Sequence, residues 1–341
     1  MIILLNSDAS FEQEERVREL LAEFGLSARS VRTNSGCYLV ALGNLKNFDI
    51  RQIGVLPGVL DVFIVDDPYQ LVSRKWRVNP TIIDIGISQS IGEGSFTLML
   101  GPCSVESEEQ LVEVAKFISS QGVHILRGGA FKPRSSPYSF QGMGVEGLEL
   151  LRSVADRFNL KVISEVLEPS QVGIMESFID IFQVGARNSQ NFSLLHELGK
   201  SRLPVLLKRG MSGTIEELLQ SAEYIFSNGN ERILLCERGI RTYETAYRNT
   251  LDINAIPVLK EKSHLPVIVD PSHGVGTRRF VEAISLAAIM AGADGILAEI
   301  HPIPERAKSD GQQTLNFSEA EQLISKSHST FNLRQSFLSP N

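Results

Sequence analysis

From Phe96 to the C-terminus, eight short apolar runs alternate with longer amphipathic stretches at helical spacing. This alternation constrains the chain most. Runs that are apolar throughout suit strands buried on both faces, and strand–helix alternation makes successive strands parallel. The strands are read as Phe96–Leu100, His124–Leu126, Lys161–Ser164, Ile181–Gln183, Pro204–Leu207, Arg232–Leu235, Pro266–Val269 and Gly295–Ala298. Helices are expected at Ser107–Ser119, Val145–Phe158, Glu168–Glu176, Thr214–Ser227, Arg278–Ala291 and Ser318–Ser327, with shorter ones between. Eight strands in about 245 residues fit a (β/α)8 barrel. The alternative is an open doubly wound sheet, but no G-x-G-x-x-G follows the first run, where a dinucleotide fold requires it.

Residues 1–66 read as a separate unit. Met1–Asn6 is strand-like, and Phe11–Phe24 places Phe11, Val17, Leu20, Leu21 and Phe24 on one helical face. Leu26–Arg32 and Gly36–Leu42 form a hairpin pair around Asn34-Ser35-Gly36; a weak helix at Lys46–Ile53 and a strand at Val59–Val65 follow. The order βαββαβ is that of a small ferredoxin-like domain, which serves either as an assembly module or as a small-ligand sensor. Residues 67–94 form a linker with Trp76, Pro68 and Pro80, and its segment Thr81–Ile87 is expected to plug one end of the barrel at 95–341.

Composition excludes several classes. The longest apolar runs fall far short of the ~18 residues that cross a membrane, and the N-terminus turns acidic at once, unlike a signal peptide. Three scattered cysteines, Cys37, Cys103 and Cys236, are too few for a disulfide framework and point to the cytoplasm. A net charge of −7 without a basic tail argues against nucleic acid as a partner.

In a barrel, chemistry sits where the strands exit at their C-terminal ends. Those exits read Gly101-Pro102-Cys103-Ser104, Arg127 and its loop, Glu165, Gly185-Ala186-Arg187-Asn188, Lys208-Arg209-Gly210, Cys236-Glu237-Arg238-Gly239, Asp270-Pro271-Ser272-His273-Gly274, and Glu299 followed by HPIPERAKSDG with Asp310. The second loop, RGGAFKPRSSPYSFQG over residues 127–142, concentrates cations and hydroxyls in an acidic chain, and Pro133 and Pro137 stiffen it. Each residue alone has an ordinary structural explanation; their convergence at eight exits is the signal. Arg127, Lys132, Arg187, Lys208 and Arg238 suit one small, highly anionic substrate, leaving Arg134 and Ser135 for a second phosphate. Cys103, His273, Glu299 and Asp310 suit one divalent metal, a mixed thiolate, imidazole and carboxylate set compatible with Mn, Fe, Co or Zn. Only barrel geometry can bring these four together.

Taken together, GPCSVES, RGGAFKPRSSPYSFQG, QVGARN, LLKRG, CERG, DPSHG and EIHPIPERAKSDG resemble 3-deoxy-D-arabino-heptulosonate 7-phosphate (DAHP) synthases, in the type I beta branch that carries an N-terminal ferredoxin-like regulatory domain. The resemblance covers nearly the whole chain. It implies a metal-dependent barrel enzyme that condenses phosphoenolpyruvate with erythrose 4-phosphate, the first step of the shikimate pathway. It also implies phosphoenolpyruvate binding by Arg127, Lys132, Ala186, Arg187, Lys208 and Arg238, erythrose 4-phosphate binding by Arg134 and Ser135, and a metal on Cys103, His273, Glu299 and Asp310. Lys132, Cys103 and His273 then stand closest to catalysis, with Lys132 or a metal-bound water as proton donor. A homotetramer and a tyrosine or phenylalanine effector on the N-terminal unit are further implications. Ser135 replaces the family's usual threonine, and HPIP replaces HPNP. Three alternatives stay open: the sister 3-deoxy-D-manno-octulosonate 8-phosphate synthase, which uses arabinose 5-phosphate and typically reads KANRSS where this chain reads KPRSS; a metal-independent Schiff-base aldolase on Lys132 or Lys208; and a non-catalytic amino-acid-binding regulator.

Overall fold

The computed structural model describes residues 1–46, 48–86, 90–132 and 138–338. The N-terminal unit comprises β1 (Ile2–Leu5), α1 (Phe11–Glu23), β2 (Ser27–Arg32), β3 (Cys37–Leu42), α2 (Arg51–Gly54) and β4 (Val59–Phe63), with an antiparallel sheet in the order β2-β3-β1-β4. Strand periodicity of two sorts its side chains. Met1, Ile3, Leu5, Leu39 and Ala41 pack with Val17 and Leu21 of α1, whereas Ile2, Tyr38 and Val40 join the core shared with the barrel. A capping box between Ser10 and Gln13 starts α1. The second helix is much shorter than Lys46–Ile53. Asp49 Oδ1 accepts the Arg51 N–H and its carboxylate grips the Arg51 guanidinium, a local alternative to helical bonding.

The barrel runs β5 (Thr97–Gly101), α3 (Glu108–Ser120), β6 (Ile125–Arg127), α4 (Gly144–Arg157), β7 (Lys161–Val166), α5 (Pro169–Met175), β8 (Ile181–Val184), α6 (Phe192–Leu198), β9 (Val205–Lys208), α7 (Ile215–Phe226), β10 (Ile233–Glu237), α8 (Ala255–Lys262), β11 (Val267–Val269), α9 (Pro271–Val275), α10 (Arg278–Ala291), β12 (Gly295–Glu299) and α11 (Phe317–Leu338). The eight parallel strands close on themselves, with β12 pairing β5 from Gly295↔Thr97 to Glu299↔Gly101. Several strands extend beyond their apolar runs and end on charged residues: Arg127, Lys208, Glu237 and Glu299. Hydrophobic patterning stops at the last apolar residue, but ladder bonding carries the strand into the site. Closure is tight at Gly101, where a Cβ would lie 2.0 Å from the Arg127 carbonyl oxygen.

Inside the barrel, Met99, Ile125, Ile163, Ile181, Leu206, Leu234, Ile268 and Leu297 form a core that Ile83, Ile85 and Ile91 of the linker close from below. Ile83 and Ile91 exchange two 2.9 Å backbone bonds. α11 runs well past Ser327 because Phe331 stacks on Phe96 with ring centroids 5.5 Å apart, prolonging its apolar contact. The described residues contain no helix long and apolar enough to cross a membrane.

Candidate functional site

The C-terminal ends of the strands carry two adjoining clusters. In the first, one ligand atom from each of Cys103, His273, Glu299 and Asp310 lies within 4.8 Å of the other three. Cys103 follows β5, Glu299 ends β12, His273 sits on α9 just past β11, and Asp310 lies in the loop after β12. Cys103 Sγ is 3.2 Å from Asp310 Oδ2, and His273 Nε2 is 3.3 Å from Glu299 Oε1. Asp310 holds φ at +52°, a left-handed conformation uncommon outside glycine.

Burial and neighbouring charges shift Glu299 and Cys103 in opposite directions. Burial alone would raise the Glu299 carboxyl, but His273, Arg127 and Lys132 outweigh it and bring the pKa down to about 2. Burial, aided by Glu299, pushes the Cys103 thiol up to about 12. A divalent ion at the convergence of these four atoms would deprotonate the thiol and offset the carboxylates, so the donor set fits a metal.

The second cluster is cationic. Arg127 donates to Glu299 Oε1 at 2.7 Å, and Lys208 Nζ lies 2.6 Å from Asp270 Oδ2, all four groups being buried. Lys132 Nζ sits 3.1 Å from both the carbonyl oxygen and Sγ of Cys103, close against Gly129, where a Cβ would meet the lysine chain at 2.9 Å. Burial opposes its charge, yet the neighbouring Cys103 and Glu165 hold its pKa above the ordinary value. Arg238 is buried, and its guanidinium hydrogen-bonds only the Gly239 carbonyl, at 3.4 Å, among the described residues; burial lowers its pKa. Ala186 opens a single turn of 3-10 helix after β8, and the next residue, Arg187, stands exposed without a carboxylate partner among the described residues. Buried or unpaired guanidinium groups beside two ammoniums form a receptor for a polyanion. Arg134 and Ser135 lie outside the described residues.

Sequence reading named Asp270 and Arg209 at their strand exits without giving them a role, and passed over Gln313 and Arg248. Asp270 takes the His273 N–H on Oδ1 at 3.0 Å and contacts His273 Nδ1 through Oδ2 at 2.7 Å. Gln313, fully buried, donates to Glu299 Oε2 at 2.8 Å and accepts from Arg248, which also reaches Asp310 Oδ1 at 3.4 Å. Arg209, at a cationic exit, is instead spent on Glu237 and Asp252 at 2.9 and 3.0 Å. Only its place next to Lys208 could have drawn attention to it, and glutamine carries no signal of this kind. In HPIP, the Ile303 backbone N–H donates to His301 Nδ1 at 2.9 Å, while the Ile303 side chain is exposed.

Comparison with known proteins gives a consistent result. Residues 80–335 match the model of the DAHP synthetase I family. The chain is 47% identical over 324 residues to phospho-2-dehydro-3-deoxyheptonate aldolase of Thermotoga maritima, covering 95% of this chain and 96% of that one. A crystal structure of phospho-2-dehydro-3-deoxyheptonate aldolase (DAHP synthase) from that organism superposes with a TM-score of 0.78 at 45% identity, covering 97% of each chain. Similarity to 2-dehydro-3-deoxyphosphooctonate aldolase of Francisella tularensis is lower, 31% over 255 residues, covering 69% of this chain and 91% of the relative.

Proposed function

The chain belongs to the DAHP synthetase I family, and from that premise we propose that it condenses phosphoenolpyruvate with erythrose 4-phosphate to DAHP and inorganic phosphate, entering the shikimate pathway. The observation that carries this reading is the meeting of a four-donor metal set and a cationic cradle at one barrel mouth. Both the higher identity and the coverage of the N-terminal unit favour DAHP synthase over the eight-carbon sister enzyme.

Phosphoenolpyruvate is assigned to Arg127, Lys132, Lys208, Arg187 and Arg238 with the Ala186 amide, and the phosphate of erythrose 4-phosphate to Arg134 and Ser135. Cys103, His273, Glu299 and Asp310 are assigned to one divalent ion, Mn, Fe, Co or Zn. When bound, that ion supplies Lewis-acid polarisation of the erythrose 4-phosphate aldehyde. The cationic cradle orients the enol so that C3 meets the aldehyde carbon, and its charges are already placed for the anionic oxygens as C2 turns positive and takes up water. Lys132 is buried and remains charged against burial, which equips it to give a proton to the new alkoxide.

For the N-terminal unit we propose tyrosine or phenylalanine sensing within a homotetramer. Tyr38 packs edge-to-face on Trp76 and Phe226, and the Ser35 N–H donates to Glu231. Phe226 and Glu231 lead into β10 at the end of the barrel opposite the mouth. Obstruction of a mouth by this unit therefore requires a second subunit. Free Cys37, Cys103 and Cys236 support a reducing cytoplasmic setting.

The test of the proposed reaction is phosphate release that needs both substrates, stops in excess chelator and returns with Mn²⁺. Full activity after verified metal removal would sink the metal-dependent reading.

A further inference from the structure

Asp270 is 1% exposed, and each of its oxygens is committed. Oδ1 accepts the His273 backbone N–H at 3.0 Å, capping the short helix that presents the imidazole. Oδ2 lies 2.7 Å from His273 Nδ1 and 2.6 Å from Lys208 Nζ. An oxygen of a carboxylate can only accept, so Nδ1 must carry the proton facing it. The ring's other nitrogen, Nε2, faces Glu299 Oε1 at 3.3 Å and Asp310 Oδ2 at 4.0 Å, so with the proton held on Nδ1 it is Nε2 that a divalent ion can claim, displacing any proton shared with Glu299. The same oxygen pins the Lys208 ammonium at the end of β9.

We propose that Asp270 is a positioning residue shared by the metal centre and the anion cradle: its Oδ2 selects the His273 tautomer that can ligate a metal through Nε2, and holds Lys208 at a fixed point beside it. The inference rests on the assignment of Cys103, His273, Glu299 and Asp310 as the metal set. It concerns a residue that touches neither metal nor substrate, acting through the two that do. Outer carboxylates of this kind typically affect metal affinity by about 10–100-fold.

Asp270→Asn separates this role from a structural one. Asparagine caps helices as well as aspartate, so its Oδ1 can keep the His273 N–H. Its NH2 then replaces Oδ2 and points a donor at both His273 Nδ1 and Lys208 Nζ. A donor at Nδ1 selects the other tautomer, with the proton on Nε2, and a donor against an ammonium drives Lys208 away.

The experiment measures Co²⁺ binding to metal-free wild type and variant by equilibrium dialysis and by the cobalt d–d spectrum, and phosphoenolpyruvate binding to the metal-free proteins by calorimetry. The expected result is a Co²⁺ Kd raised about 10–100-fold with an altered d–d spectrum, and weakened phosphoenolpyruvate binding, in a protein that still unfolds cooperatively. A Co²⁺ Kd within twofold of wild type overturns the tautomer role, and unchanged phosphoenolpyruvate binding overturns the Lys208 role. Wild type that binds no Co²⁺ overturns the metal-site assignment itself. Should the variant fail to fold, ¹⁵N-histidine spectra of metal-free wild type at a pH where the ring is neutral, with His273→Gln for assignment, decide the tautomer role, a neutral ring protonated on Nδ1 supporting it and one protonated on Nε2 overturning it, and Lys208→Met decides the other role by whether phosphoenolpyruvate binding weakens.

Discussion

At the scale of single residues, the two clusters make separable predictions. Replacing Cys103 with serine exchanges a thiolate for a poor hydroxyl ligand and should weaken metal binding by well over about tenfold. Metal titration of the purified variant checks this, and an unchanged affinity would remove Cys103 from the ligand set. Arg187→Ala should raise the Michaelis constant for phosphoenolpyruvate more than that for erythrose 4-phosphate, and Arg134→Ala should do the reverse. Loss of a charge-assisted contact costs about 1.5–3 kcal/mol, or roughly tenfold and more. Equal effects on both substrates in both variants would contradict the partition. Charged and thiol residues at strand exits could be picked out from the chain alone because their chemistry is rare there. Asp270 was visible at its strand exit but carried no role there, and Gln313 gave no signal, since the importance of both lies in which atom each one faces.

At the scale of elements, the linker is fastened to the barrel by a histidine that must stay neutral. His264 is buried, with Nδ1 2.7 Å from the Thr81 hydroxyl and Nε2 2.8 Å from the Leu71 carbonyl oxygen. Burial brings its pKa from the ordinary 6.5 down to about 3. The unfolded chain takes up this proton below ~6.5 while the folded one resists it. Stability from this residue is therefore complete above ~6.5 and is lost as pH falls from there towards ~3, by up to about 1.4 kcal/mol per pH unit. Trp76, which lies edge-on to His264 with ring centroids 5.8 Å apart, is the only tryptophan and reports the transition by fluorescence. Urea midpoints should fall between pH 7.5 and 5 more steeply in wild type than in His264→Gln; parallel slopes would contradict the account. In the plug, Ile91→Ala should cost about 2–5 kcal/mol, because the emptied volume lies beneath a closed barrel. The eight barrel strands and the longer helices between them were legible in apolar periodicity, whereas α6, α8 and α9 were expected only as shorter helices without bounds. Strand ends were not legible, since Arg127 and Glu299 belong to their strands through ladder bonds and buried ion pairing. α2 fell short for a related reason, a side-chain bond from Asp49 that periodicity does not register.

At the scale of the whole molecule, the alternating faces of the N-terminal sheet explain how one small unit holds its own core and still docks on the barrel. Deleting residues 1–66 should leave catalysis in place and abolish inhibition by tyrosine or phenylalanine. Inhibition that persists in the truncated enzyme would move the effector site to the barrel, and an intact chain that neither amino acid inhibits would leave the unit an assembly surface. The central claim concerns the aldose that meets phosphoenolpyruvate at the mouth. Its most direct test is phosphate release from phosphoenolpyruvate by the intact, Mn²⁺-loaded chain, with erythrose 4-phosphate or arabinose 5-phosphate as the second substrate. The account predicts a far larger kcat/KM with erythrose 4-phosphate; preference for arabinose 5-phosphate, or release that needs neither aldose, would contradict it.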